Sequence, residues 1–193
     1  MAKKKASKKT AKKISKKKTS KKTSKKVLKK AKASLKSTTK SYKGVKLGQS
    51  VPDFQLHGTS GADFHLKDYQ GKKVVLYFYP KDSTPGCTIE GNDFSRLHNQ
   101  FLAKNTHVFG ISRDTLKSHE NFKCNQNFQF ELLSDANEHV CKIFDVIQEK
   151  NMYGKKVIGI ERSTFVIDEN GKLSKEWRKV KVEGHADEVL QSL

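Results

Sequence analysis

The chain has 193 residues, 40 of them Lys or Arg against 20 Asp or Glu, a formal net charge of +20, and 3 cysteines. No apolar stretch approaches the roughly 18 residues a membrane span needs, and no apolar secretory core stands near the N-terminus. An odd cysteine count without even spacing does not fit a secreted disulfide framework, so membrane-spanning and disulfide-scaffold classes are excluded, and a reducing compartment, the cytoplasm, is expected.

The charge is uneven. Residues 1–43 hold 20 lysines with no arginine and no acid, so 40 minus 20 leaves 20 basic residues against all 20 acids in residues 44–193. Two regions follow: a lysine-rich tail, 1–43, and one domain, 44–193. The tail repeats Ser/Thr-Lys-Lys units, as at Ser7-Lys8-Lys9 and Ser20-Lys21-Lys22, and its few apolar residues, among them Ile14, Val27, Leu28 and Leu35, cannot form a core. Its like charges repel, so it is expected to be disordered and to bind polyphosphate surfaces by releasing counterions. Aromatic residues for base stacking are absent before Tyr42. A solubilising tail or contact with anionic lipid is the plainer reading, but so many uncompensated lysines exceed what solubility needs, and nucleic acid is the favoured partner.

The domain, roughly 150 residues, is large enough to bury about 70% of its unfolded surface. Pro52–Leu56 and Phe64–Leu66 read as a hairpin around the Gly58 to Gly61 turn. Val74–Tyr79 is a continuous run of β formers between Gly71 and Pro80, the pattern of a fully buried strand. Asp82–Gly86 is dense in turn formers. A helix pattern follows, to about Lys104, in which Phe94, Leu97 and Phe101 share a face. Cys87 falls on its first turn, where unpaired amides and the helix dipole favour the reactive thiolate. Further on come a strand at His107–Ser112, a polar helix at Leu116–Gln126, a strand at Phe130–Leu133 and a helix at Asn137–Asp145. A strand at Glu161–Asp168 then pairs with Leu173–Lys181, and a helix runs from Ala186 to Leu193. Strands alternating with helices before a late hairpin imply an α/β fold with a mixed central sheet.

The segment Tyr77-Phe78-Tyr79-Pro80-Lys81-Asp82-Ser83-Thr84-Pro85-Gly86-Cys87-Thr88 resembles the active-site segment of the peroxiredoxins, which carry Pro-x-x-x-Thr-x-x-Cys, and within them the bacterioferritin comigratory protein (PrxQ) branch. The resemblance runs from about Leu47 to the C-terminus and implies a thioredoxin-like fold. It implies a thiol-dependent peroxidase acting on hydrogen peroxide and organic hydroperoxides, recycled by thioredoxin or a similar thiol; a monomer is expected. Cys87 would attack a peroxide oxygen and become sulfenic acid. Thr84 and the Cys87 amide would donate to the leaving oxygen, Pro80 would shield the sulfur, and Arg162, in Arg162-Ser163-Thr164-Phe165, would orient the peroxide and stabilise the thiolate.

Each residue has a plainer alternative: Thr84 as a turn cap, Arg162 as a surface partner of Glu161, Cys87 as an inert buried thiol. Many members of the branch place a resolving cysteine five residues after the peroxidatic one, where this chain has Asn92. Some relatives place it in the helix that here holds Cys124, so Cys87–Cys124 is the preferred pair. Cys141, on an apolar helix face, reads as core, and reduction by an external thiol stays open. His98, His119, His139 and His185 read as exposed. No His-x-x-x-His pair, Cys-x-x-Cys or glycine-rich phosphate loop occurs, so no metal or cofactor is expected. A rival of another class is a histone-like compaction protein whose peroxidase domain is incidental or inactive. Nucleoid or nuclear association is the compartment question the tail raises.

Overall fold

β3 (Lys73–Phe78) is the central strand. Val74, Leu76 and Phe78 face one side and Val75 and Tyr77 the other, each 1% exposed or less, so the uninterrupted apolar run is a strand covered on both faces. The computed structural model describes residues 43–61, 63–152 and 155–193, which form one compact unit. Residues 1–42 of the expected disordered tail lie outside the described residues.

The hairpin of β1 (Gln55–Gly58) and β2 (Asp63–His65) pairs Leu56 with Phe64. After β3 come α1 (Pro85–Arg96), α2 (His98–Ala103) and β4 (Thr106–Ser112), then α3 (Leu116–Gln126), β5 (Glu131–Ser134) and α4 (His139–Ile143). The chain continues as β6 (Ile147–Met152), β7 (Lys155–Ile160), β8 (Ser163–Ile167), β9 (Leu173–Arg178) and α5 (His185–Gln191). The large sheet runs β2-β1-β5-β4-β3-β8-β9, and β6 and β7 pair separately. β3 is parallel to β4 and antiparallel to β8. Parallel neighbours need crossovers, which the helices between β3, β4 and β5 supply.

One face of the sheet packs on Phe94 of α1, Phe101 of α2, Phe122 of α3 and Val189 of α5; the other packs on Val51, Phe54 and Val140, Cys141 and Phe144 of α4 and its end. A mixed sheet between two helical layers is the thioredoxin-like fold expected. No helix of the described residues is long and apolar enough to cross a membrane.

Several expectations shift, beginning with the first strand, expected over Pro52–Leu56 and found at Gln55–Gly58. The helix expected to reach Lys104 breaks at Leu97, whose ψ of 1° ends α1 and starts α2. The helix expected from Asn137 starts at His139, because Glu138 is left-handed, φ 56°. The strand expected from Glu161 starts at Ser163, leaving Glu161 and Arg162 in the preceding loop. The β6–β7 hairpin, polar on half of its positions, carries no clear alternation and was not expected.

Candidate active site

The site is built at the end of β3. Tyr79 still bonds the sheet, its amide donating to the Ile111 carbonyl at 3.1 Å, and Pro80, lacking a donor, lets the chain leave. Ser83 is left-handed at φ 57°, and Thr84 is extended at φ −87°, ψ 150°, as the N-cap of α1. Pro85 occupies the first helical position, where its fixed φ fits and its missing N–H is no loss. Cys87 is therefore the third residue of α1, among amides without intrahelical acceptors. Its side chain turns inward and is 1% exposed, within the apolar layer that includes Tyr77, Tyr79 and Phe94.

Arg162 arrives from the loop before β8. Its Nη2 lies 3.3 Å from the Cys87 sulfur, and its Nη1 donates to a carboxylate oxygen of Glu90. Cys87 and Glu90 are three apart on α1 and share a face, so one guanidinium spans both. Gly86 leaves the approach open, since a Cβ there would meet Arg162 Nη2 at 3.3 Å. Burial pushes the Glu90 carboxyl up to about 7, although Arg162 pulls the other way. Burial works against the charge of Arg162, but Glu90 and Cys87 outweigh it and hold the guanidinium above its ordinary range. Glu90 is 1% exposed and, among the described residues, its Oε1 has no partner, an unusual state for an acid.

The sequence-based set is thus partly assembled. Cys87 and Arg162 are in contact, and the alternative of Arg162 as a surface ion-pair partner of Glu161 gives way to the buried Glu90. Pro80 and Thr84 flank the loop, but the Thr84 hydroxyl donates to the Lys81 carbonyl at 3.0 Å. Cys124, in the last turn of α3, is exposed, whereas Cys87 is buried; both thiols are free. Cys141 is fully buried in the opposite layer, where burial and then Asp135 raise its thiol far above the ordinary range.

Sequence reasoning missed Glu90, although Cys87, Glu90, Phe94 and Leu97 follow one helical face and an acid on an apolar face is a signal. It also missed Lys150 of β6, whose ammonium donates to the Ile160 carbonyl and whose pKa is lowered, by burial first, in a field that includes Arg162 and Cys87. Two histidines expected at the surface are buried: His119, 0% exposed, against Asp82, and His185, 4% exposed, against Thr164. Each found a partner far away in sequence. His139 is exposed as expected.

Chemically, this is a thiol held dry in the first turn of a helix beside a fixed cation. Such a site stabilises a thiolate and the negative charge that develops on a leaving oxygen.

Comparison with known proteins points the same way. Residues 47–176 match the model of the AhpC/TSA family. The chain is 52% identical over 149 residues to peroxiredoxin Bcp of Xanthomonas campestris pv. campestris, covering 77% of this chain and 93% of that one. It is 48% identical to peroxiredoxin Bcp of Bacillus subtilis, covering 77% and 95%. A solved structure of Xanthomonas campestris peroxiredoxin Q superposes with a TM-score of 0.71 at 50% identity, covering 77% of this chain and 94% of that one.

Proposed function

The chain belongs to the AhpC/TSA family as a peroxiredoxin of the Bcp/PrxQ group and is a thiol peroxidase; on that premise we propose that Cys87 is its peroxidatic residue and that Glu90 and Arg162 complete the site. The observation that carries this reading is the guanidinium of Arg162, 3.3 Å from the Cys87 sulfur and held from behind by a buried carboxylate. A cation locked in place beside a sulfur favours the anionic nucleophile and needs no reorganisation when the reaction starts.

The Cys87 thiolate attacks one oxygen of the hydroperoxide. The S–O bond forms as the O–O bond breaks, the sulfur is oxidised to sulfenic acid, and the second oxygen leaves, taking a proton, as water or an alcohol. Arg162 and the amide of Cys87 stabilise the charge on that oxygen. Thr84 joins them once its hydroxyl turns away from the Lys81 carbonyl, and Pro80 excludes water. A Xanthomonas campestris relative has been studied for alkyl peroxide reduction, which supports organic hydroperoxides as substrates beside hydrogen peroxide.

Resolution falls to Cys124: its thiolate attacks the sulfenic sulfur, the hydroxyl leaves as water, and thioredoxin or a similar dithiol reduces the disulfide. Cys124 is exposed and Asn92, one turn beyond Cys87, donates to Gln126 beside it at 3.4 Å, so the two helices already touch. We take the working unit to be a monomer. The 20 lysines of residues 1–43 support a tether that holds the enzyme at nucleic acid in the cytoplasm or nucleoid.

The test is consumption of hydrogen peroxide by purified protein with a dithiol reductant. Cys87→Ser is expected to abolish turnover, and Arg162→Lys to slow it by about 10²-fold or more, because an ammonium cannot serve sulfur and carboxylate together. Turnover retained in Cys87→Ser would reject the assignment.

A further inference from the structure

Asp82 stands in the loop between β3 and α1, two residues after Pro80 and two before Thr84, yet its side chain faces inward and is 3% exposed. Three groups bond its carboxylate. Tyr79 Oη donates at 2.8 Å from the end of β3; Ser118 Oγ donates at 2.7 Å and His119 Nδ1 lies 2.9 Å away, both from the first turn of α3. The Asp82 amide donates to Asp114 Oδ2 at 2.9 Å, and the same oxygen accepts from Ser112 Oγ at 2.7 Å. Burial alone would raise the Asp82 carboxyl, but His119, Ser118 and Tyr79 hold it below its ordinary range.

These bonds matter because they tie the loop to the first turn of α3, whose later turns are held separately, Glu120 accepting from the Ser60 amide and Lys123 donating to Ser60 and Glu131. Among the described residues the loop has no sheet partner beyond Tyr79, and it contains Ser83 in the left-handed region, φ 57°, a strained conformation for a serine. α3 is polar and buries two side chains, Phe122 and His119. His119 Nδ1 is committed to Asp82, and its Nε2 is buried with no partner among the described residues. A ring with one nitrogen unsatisfied and the other on a carboxylate belongs in that place only while the carboxylate is there. α3 also carries Cys124 in its last turn.

We propose that Asp82 is a positioning residue whose bonds to Ser118 and His119 clamp the loop bearing Thr84 to the helix bearing Cys124, so that the two segments leave their folded positions as one unit. With the clamp shut, Cys87 stays buried beside Arg162 and reacts with peroxide. Opening it frees the residues around Cys87 and the helix of Cys124 together, which is what a bond between a buried and an exposed sulfur requires. The clamp thereby sets how long the sulfenic acid survives. A second peroxide molecule oxidises it further to sulfinic acid, releasing water or alcohol, and the disulfide competes with that step. This consequence rests on the reading of Cys87 and Cys124 above; the clamp itself does not.

Hydrogen exchange followed by mass spectrometry on the reduced full chain tests the clamp without any peroxide chemistry. In Asp82→Asn, peptides spanning residues 81–92 and 115–126 are expected to exchange about tenfold faster and by the same factor, with β3 and β4 unchanged. Acceleration of one segment alone, or of neither, would overturn the proposal. If Asp82→Asn opens the whole domain, so that β3 and β4 exchange faster too, Ser118→Ala, which removes a single hydroxyl, decides by the same criterion. Rapid-mixing kinetics then test the consequence: the reaction of Cys87 with peroxide is expected to slow while the sulfenic acid converts to disulfide about tenfold faster, and the yield of sulfinic acid falls. Both phases slowing together would overturn it. Absence of any Cys87–Cys124 bridge in the unaltered chain would reject the reading of Cys124, and the exchange result would still decide the clamp.

Discussion

Cys87 and Cys141 are both buried, but in the two layers on opposite faces of the same sheet. A disulfide needs Cβ atoms about 3.5–4.5 Å apart, so these sulfurs meet only if the sheet comes apart. Cys141→Ala is therefore expected to form the same intramolecular bridge after peroxide treatment as the unaltered chain, whereas Cys124→Ser forms none and accumulates sulfenic acid. Non-reducing peptide mapping by mass spectrometry reads the result, and a Cys87–Cys141 peptide would contradict the layered arrangement.

Glu90 adds a titration to the site. Its carboxyl changes charge at about 7, and in its ionised form it neutralises the guanidinium that faces Cys87. The rate of Cys87 with peroxide is expected to carry a step near that pH, which Glu90→Gln removes while keeping the shape of the side chain. Glu90→Ala is expected to be worse on another scale, losing about 3 kcal/mol of stability by leaving Arg162 half-buried without its partner. A pH–rate profile of Glu90→Gln that still shows the step would assign it to another group.

How much of this was legible in the residues follows from what is local. The run Val74–Tyr79 announces a buried strand and Leu116–Gln126 a helix with its observed bounds, because both patterns are complete within a few turns of chain. Pro85 and Cys87 announce a helix start for the same reason. The partners of these elements were not legible. Glu90 meets Arg162 across 72 positions and His119 meets Asp82 across 37, and a single sequence carries no local trace of which buried polar groups will find each other. That is why His119 and His185 read as surface residues: a histidine looks solvated until a carboxylate or hydroxyl from elsewhere satisfies it.

Gly91, the residue after Glu90, is fixed by contact. A Cβ there would sit 2.4 Å from Cζ of Phe128, whose ring is 4% exposed and packs edge-on against Phe122 at 4.9 Å and flat on Phe130 at 5.4 Å. Alanine gains about 1 kcal/mol of helix propensity over glycine, but overpacking of a closed layer loses about 1–3 kcal/mol. Gly91→Ala is expected to lower the urea midpoint, and adding Phe128→Leu to restore part of the loss. A Gly91→Ala chain more stable than the parent would mean that the aromatic layer yields freely.

The tail makes a prediction in salt. With 20 lysines in residues 1–43, engagement of about ten phosphates gives a log–log salt slope of about −9 for duplex DNA, with little dependence on sequence. The chain beginning at residue 44 is expected to lose this binding and keep its peroxidase activity. Equal DNA retention by both forms on a salt gradient would remove the tether from the account.

His185 governs the acid limb of stability. Its Nε2 lies 2.8 Å from Thr164 Oγ1, and its ring packs against Trp177 at 5.8 Å and Phe94 at 6.2 Å. Burial first, and Arg162 after it, keep the ring neutral and lower its pKa from 6.5 to about 4, although Glu188 pulls upward. In the unfolded chain the same imidazole takes up a proton near 6.5, so between 6.5 and 4 the unfolded state binds more protons. The contribution of His185 is therefore whole above pH 6.5 and is lost as pH falls toward 4, by about 3 kcal/mol. Glu90 has the opposite sign, because a carboxyl raised from 4.5 to about 7 adds stability at the acid end of its window and loses it as pH rises through 7. The two overlap, so the parent chain's curve alone does not separate them. The difference between parent and His185→Asn does: the variant is expected to be less stable at pH about 7.5 and to lose less on acidification, with the two urea-midpoint curves converging toward pH 4. Curves that stay parallel across that range would show that His185 is protonated in the folded protein, and that Thr164 accepts from the imidazolium.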